Sequence, residues 1–180
     1  MRLTLAALVL LTLNLPVAAQ GPASPYADFS DRQIKALSAQ QIGDLRAGRG
    51  MGLAIAAELN GFPGPAHVLE LADKLDLSAT QRERVEHLFA QMKADAVPLG
   101  ERLITQESVL DRQFSERTVT PVSLEESVTA IGVTQAALRH AHLKYHLATL
   151  DVLTPEQVAE YQRLRGYAAS QGHGGHHRQH

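Results

Sequence analysis

The chain has no cysteine and no tryptophan, and aromatic residues make up only 4% of its 180 positions. Without thiols there is no disulfide framework, no thiolate metal centre and no cysteine nucleophile. Without many rings, a core has to be assembled from Leu, Ala, Val and Ile, a palette that favours packed helices over a β-sandwich. A charge bias is missing too. Seventeen Lys and Arg face nineteen Asp and Glu, for a formal net charge of −2, so no general attraction to nucleic acid is expected. With 44% hydrophobic and 20% charged residues the composition suits one soluble domain and is too small for two well-buried ones.

Met1-Arg2, the apolar run Leu3 to Leu13 and the small-residue site Val17-Ala18-Ala19 read together as a secretory signal peptide, residues 1–19, cut before Gln20. The apolar run is short for a membrane span, and no cysteine follows it to carry a lipid. The mature chain is expected free in the periplasm or outside the cell, not membrane-spanning after cleavage.

What the sequence does have is one pattern three times: Leu37-Ser-Ala-Gln-Gln41, Leu77-Ser-Ala-Thr-Gln81 and Leu153-Thr-Pro-Glu-Gln157. Each copy reads as a helix start. Ser38, Ser78 and Thr154 are placed to cap, and Gln41, Gln81 and Gln157 to reach back to the cap residue's own N–H. The leading leucine can pack on the first turn, against Ile42 after Leu37 and Val158 after Leu153. Pro155 suits the first helical position.

Between these starts the organisation is coarse but legible. Residues 20–36 are Gly, Pro, Ser and Ala rich and are expected to be flexible. Residues 37–64 hold short helices broken at Gly48-Arg-Gly-Met-Gly52 and Asn60-Gly-Phe-Pro-Gly-Pro65. The glycine-rich stretch lacks the preceding strand and following Lys-Ser or Lys-Thr of a phosphate loop. From Ser78 to about Arg117, apolar residues at Val85, Leu88, Phe89, Met92, Ala96, Leu99, Leu103, Leu110 and Phe114 mark one stripe of a helix about 60 Å long. Pro98 should kink it. Ser123-Leu-Glu-Glu126 reads as a further capping box opening a helix to Leu150. Its short connection to the first rod requires the two to lie antiparallel. A last helix runs from Thr154 to about Tyr167, and residues 169–180 form a Gly- and His-rich tail expected to be disordered. The fold class is therefore all-α, a long antiparallel helical hairpin with short flanking helices.

Leu77, Ser78 and Gln81 with Leu153, Thr154 and Gln157 resemble the paired LTxxQ motifs of the Spy/CpxP family of periplasmic proteins, which includes the heavy-metal-responsive ZraP and CnrX. The resemblance spans residues 65–168. It implies a dimeric helical cradle acting as an ATP-independent, chaperone-like or envelope-stress protein, which holds unfolded or misfolded envelope proteins on a surface of mixed apolar and charged groups. In this chain Arg82, Met92, Lys93, Arg102, Arg139 and Lys144 are candidates for that surface. The resemblance also implies a homodimer and, from the CpxP-like branch, a membrane sensor kinase as a partner. Where nickel-sensing members have paired His and Met, this chain has Tyr145 and Thr149, and where they have an earlier His pair it has Val68 and Ala72. That coordination cannot be reproduced here.

Nine histidines remain. His142 and His146 stand one turn apart on one helix face, where two imidazoles can share zinc, copper or nickel. Glu83, Glu86 or His87 of the opposing rod are candidate further ligands, while His140 points elsewhere and His67 is isolated. In the tail, His173, His176, His177 and His180 can bind the same metals, with ligands ordered at the moment of binding. A metal-binding sensor or scavenger is thus the rival to the chaperone-like reading. No catalytic residues are assigned: no G-x-S-x-G elbow occurs, and Leu143 follows His142 where a zinc protease has its glutamate base.

Overall fold

The computed structural model describes residues 24–167. The expected signal peptide, residues 1–19, and the four tail histidines lie outside the described residues. After a 3-10 turn at Ala27–Phe29, the helices are α1 Ala39–Arg46, α2 Ile55–Glu58, α3 Pro65–Glu70, α4 Ala79–Ser115, α5 Pro121–Leu150 and α6 Pro155–Leu164. The described chain is all-α. Helices α4 and α5 pair along their length, and residues late in α5 meet residues early in α4. Tyr145 donates to Asp95 at 2.7 Å, whereas Ser127 donates to Gln113 at 3.4 Å. The hairpin is antiparallel, as the short connection requires.

All three repeated starts form as capping boxes. Ser38, Ser78 and Thr154 accept from the backbone N–H three residues on, and Gln41, Gln81 and Gln157 return the bond. The start of α5 differs from expectation. Its N-cap is Thr120, boxed with Ser123, so the Ser123 to Glu126 box does not form. Pro121 decides this, because its fixed φ and missing N–H fit the first helical position. Helix α4 is continuous through Pro98, which lies exposed inside it.

Two apolar clusters hold the hairpin. In the first, Ile34, Leu37 and Leu45 pack on Ala96, Leu103 and Ile104 of α4 and on Ile131 and Leu138 of α5. In the second, Val68 and Leu75 meet Val85, Val152 and Tyr161. The segment before residue 65, which carries no part of the motif resemblance, thus supplies one wall of the core. Helix α1 comes so close to α4 that a Cβ on Gly100 would lie 2.5 Å from the Leu45 carbonyl oxygen. Only glycine permits that approach. At the opposite end the pattern does not translate into burial: Phe114, Val122 and Val128, around the α4–α5 connection, are 54%, 67% and 53% exposed.

Candidate functional site

Two of the three capped starts are joined to each other. Gln81 Nε2 donates to Gln157 Oε1 at 2.8 Å, and Gln157 Nε2 donates back to Gln81 Oε1 at 3.2 Å, a reciprocal amide pair. The second hydrogen of each amide goes to a backbone carbonyl, Val152 for Gln81 and Leu75 for Gln157. Each Oε1 also accepts from its own cap N–H, Ser78 or Thr154. This arrangement needs a donor and an acceptor on one side chain, which glutamine has and glutamate at neutral pH lacks. Gln41, in the third copy, is exposed and makes only the local box. The three copies, equivalent as strings, are therefore not equivalent as structure.

Beside this pair lies a buried polar cluster centred on Glu58, which is only 8% exposed. Its Oε1 accepts from the Tyr161 hydroxyl, from His67 Nδ1 at 3.2 Å and from the Tyr167 hydroxyl at 3.4 Å, with Arg165 Nε 3.8 Å away. A carboxylate can only accept, so His67 carries its proton on Nδ1, and the 3.5 Å approach of Arg165 to that nitrogen is not a hydrogen bond. Burial pushes the Glu58 carboxyl upward, but the bonds from His67 and Tyr161 and the nearby imidazoles outweigh it. The group is held below the ordinary carboxylate value and ionised. Burial, and then the bond to this carboxylate, push the Tyr161 hydroxyl strongly upward.

The other oxygen, Glu58 Oε2, is buried without any hydrogen-bond partner among the described residues. His146 Nδ1 is 3.7 Å from it but donates to the Phe62 carbonyl at 2.7 Å. His142 Nε2 is likewise buried and has no partner among the described residues. His142 is 2% exposed, and burial, with His146 adding to it, lowers its pKa and keeps it neutral.

Glu58, His142 and His146 line one cavity of about 610 Å³, whose apolar walls include Met51, Ile55, Phe89 and Met92. Glycines shape it. The His142 ring lies against Gly50, and a Cβ on Gly64 would sit 2.7 Å from His146 Cε1. Met51 has a left-handed backbone, φ 42°, between Gly50 and Gly52.

His142 and His146 share a helix face as expected, but they are buried and face the segment before residue 68. The expected further ligands are not there. His87 and Glu83 line a separate cavity with Ala148 and Asp151, and Glu86 is exposed. Among the described residues no group of three or more His, Asp or Glu has an arrangement that could hold a metal ion. His67, isolated in sequence, belongs to the Glu58 cluster.

The expected client surface is also redistributed. Met92 is buried on the cavity wall, so it is not a surface residue. Arg82 pairs with Asp73 at 2.5 Å and Lys144 with Asp95 at 2.7 Å. Lys93, Arg102 and Arg139 are exposed. Sequence reasoning missed Glu58 altogether. Its one signal was an acid in an otherwise apolar stretch, Leu53 to Leu59. No helix among the described residues is long and apolar enough to cross a membrane. No protein-family model, curated protein or solved structure matches the chain.

Proposed function

We propose that the protein is a periplasmic, ATP-independent chaperone-like or envelope-stress protein of Spy/CpxP type, binding unfolded or misfolded envelope proteins on its helical hairpin as a homodimer. The observation that carries this reading is the set of large apolar side chains left in solvent around the α4–α5 connection, Phe114, Val122 and Val128. They are interspersed with charged neighbours such as Arg112, Arg117 and Glu125. Apolar surface of this kind, amid charge, suits weak and fast contact with exposed segments of an unfolding chain. The amide pairing of the two LTxxQ-like starts supports the family resemblance by giving the motif glutamines a shared role.

The test is suppression of aggregation. The mature protein at a few-fold molar excess over an unfolding client should delay light scattering, and a Phe114→Ser, Val128→Ser variant with unchanged helicity should lose most of that delay. An unchanged client time course in the presence of the wild-type protein removes the reading. Cross-linking in cells tests a sensor-kinase partner.

A second reading, a zinc, copper or nickel binder, is favoured by one observation: the neutral, unpartnered Nε2 of His142 is in the state a metal requires. With too few ligands among the described residues, such a site would draw on the tail histidines. Equilibrium dialysis with and without residues 170–180 decides it, since no retained metal in either form ends this reading.

A further inference from the structure

The cavity beside Glu58 has the attributes of a small-molecule site, a use that the chaperone-like reading leaves open and that competes with a metal for His142. Its volume, about 610 Å³, lies in the range of ligand pockets, and it combines apolar walls with a few polar atoms. Two of the lining residues, Glu58 and His142, each carry an anomalous polar atom. Glu58 Oε2 and His142 Nε2 are buried and have no hydrogen-bond partner among the described residues, although leaving such atoms unsatisfied is costly. The donors nearest the carboxylate are directed elsewhere. Tyr161, Tyr167 and His67 go to the other oxygen, and His146 Nδ1 goes to Phe62. Arg165 Nε, 3.8 Å away, faces that same other oxygen and bonds to the Tyr167 hydroxyl.

The walls are adaptable. The chain has three methionines, and two of them, Met51 and Met92, line this cavity. Unbranched thioether side chains conform to varied apolar shapes. Of the other charged groups on the wall, Arg49 is paired with Asp44, and the exposed Lys93 and Glu70 are opposite in sign.

We propose that this cavity binds a small organic primary amine, Glu58 and His142 turning toward it so that its ammonium head donates to Glu58 Oε2 and His142 Nε2 while its hydrocarbon body lies against Met51, Met92 and Phe89. An ammonium carries three donors, enough for both orphan acceptors in the tautomer that places the His142 proton on Nδ1. A hydroxyl has one donor and serves only one of them. A carboxylate would set a second negative charge beside Glu58.

Methyl-13C methionine labelling of the full chain places two reporters on the cavity wall. Titration at pH 7 with hexylamine, 1-hexanol and hexanoate should give saturable shifts of the Met51 and Met92 methyl signals with the amine, with a dissociation constant on the order of 1 mM for so small a probe. The alcohol should bind at least about tenfold more weakly, and hexanoate should leave both signals in place. Glu58→Gln should abolish the preference for amine over alcohol. If that variant does not fold, the three-probe comparison on the unaltered protein still decides. Equal affinity for amine and alcohol, or shifts that rise without saturation, overturns the proposal and leaves a cavity filled by solvent. The client-aggregation assay does not depend on this cavity, so the two results can fail separately.

Discussion

Replacing Gln81 by glutamate tests whether the motif glutamines are a structural joint or merely two helix caps. Glutamate is as good a capping-box residue as glutamine, so if capping were the whole role, Gln81→Glu would be neutral. In the structure, Gln81 Nε2 also donates to Val152 O at 2.9 Å and to Gln157 Oε1 at 2.8 Å. A carboxylate loses both bonds and turns an oxygen toward two acceptors. Two part-buried hydrogen bonds at about 1 kcal/mol each, with the acceptors left unpaired, give a loss of about 2–4 kcal/mol at pH 7. That corresponds to a fall in Tm of about 6–12 °C for a chain of this length. Gln41→Glu, in the unpaired copy, is the control and should change stability by less than about 0.5 kcal/mol. The sign with pH follows. The introduced carboxyl would have a raised pKa in the fold, because its protonated form regains a donor, so the deficit should shrink as the pH falls toward 5. Thermal unfolding followed by helical circular dichroism reads all three. Equal effects of Gln81→Glu and Gln41→Glu would refute the joint.

Three further outcomes follow from the packing and the buried charges. Gly100→Ala should destabilise by about 1–3 kcal/mol, since the new Cβ meets Leu45 backbone, whereas Gly132→Ala, with nothing within 4 Å, should stabilise by roughly 0.5–1 kcal/mol; denaturant midpoints give the two signs. Tyr161→Phe removes a hydroxyl donor to the ionised Glu58 and should cost about 1.5–3 kcal/mol in urea unfolding. Acid should weaken the fold in two steps: below the ordinary histidine value of 6.5 the unfolded chain takes up a proton that buried His142 resists, and below 4.5 the contribution of Glu58 is lost as its folded pKa is approached. His142→Gln should flatten the first step, which stability measured between pH 7.5 and 5.5 will detect; an unchanged slope would mean that His142 is not held neutral.

The hairpin was readable because its apolar positions recur every three or four residues and because serine or threonine with a following glutamine marks a helix start in any context. The one misplaced start, at α5, came from giving Ser123 and Glu126 priority over Pro121, whose locked φ fixes the first turn three residues earlier. The pairing of Gln81 with Gln157 could not be read, because residues 76 apart are brought together by tertiary packing alone. The Glu58 cluster was illegible for the same reason. It draws on α2, His67, α5 and the end of α6, and nothing local distinguishes Glu58 from a solvated acid. Expecting Glu83 and His87 to face His142 assumed that α5 turns its histidines toward α4. Instead the glycine-rich segment covers them, and Gly50 and Gly64 leave room for the rings.

The reach of those contacts bears on how the protein is made. Glu58 meets Tyr161 across 103 positions of sequence, so a growing chain that has completed its first hundred residues holds an acid with no hydroxyl to shelter it. The second cluster therefore waits for the final helix, whereas the first draws on nothing beyond Leu138. In a ladder of C-terminal truncations, protease protection around Val68, Leu75 and Val85 should therefore appear abruptly as Tyr161 is included, rather than growing residue by residue.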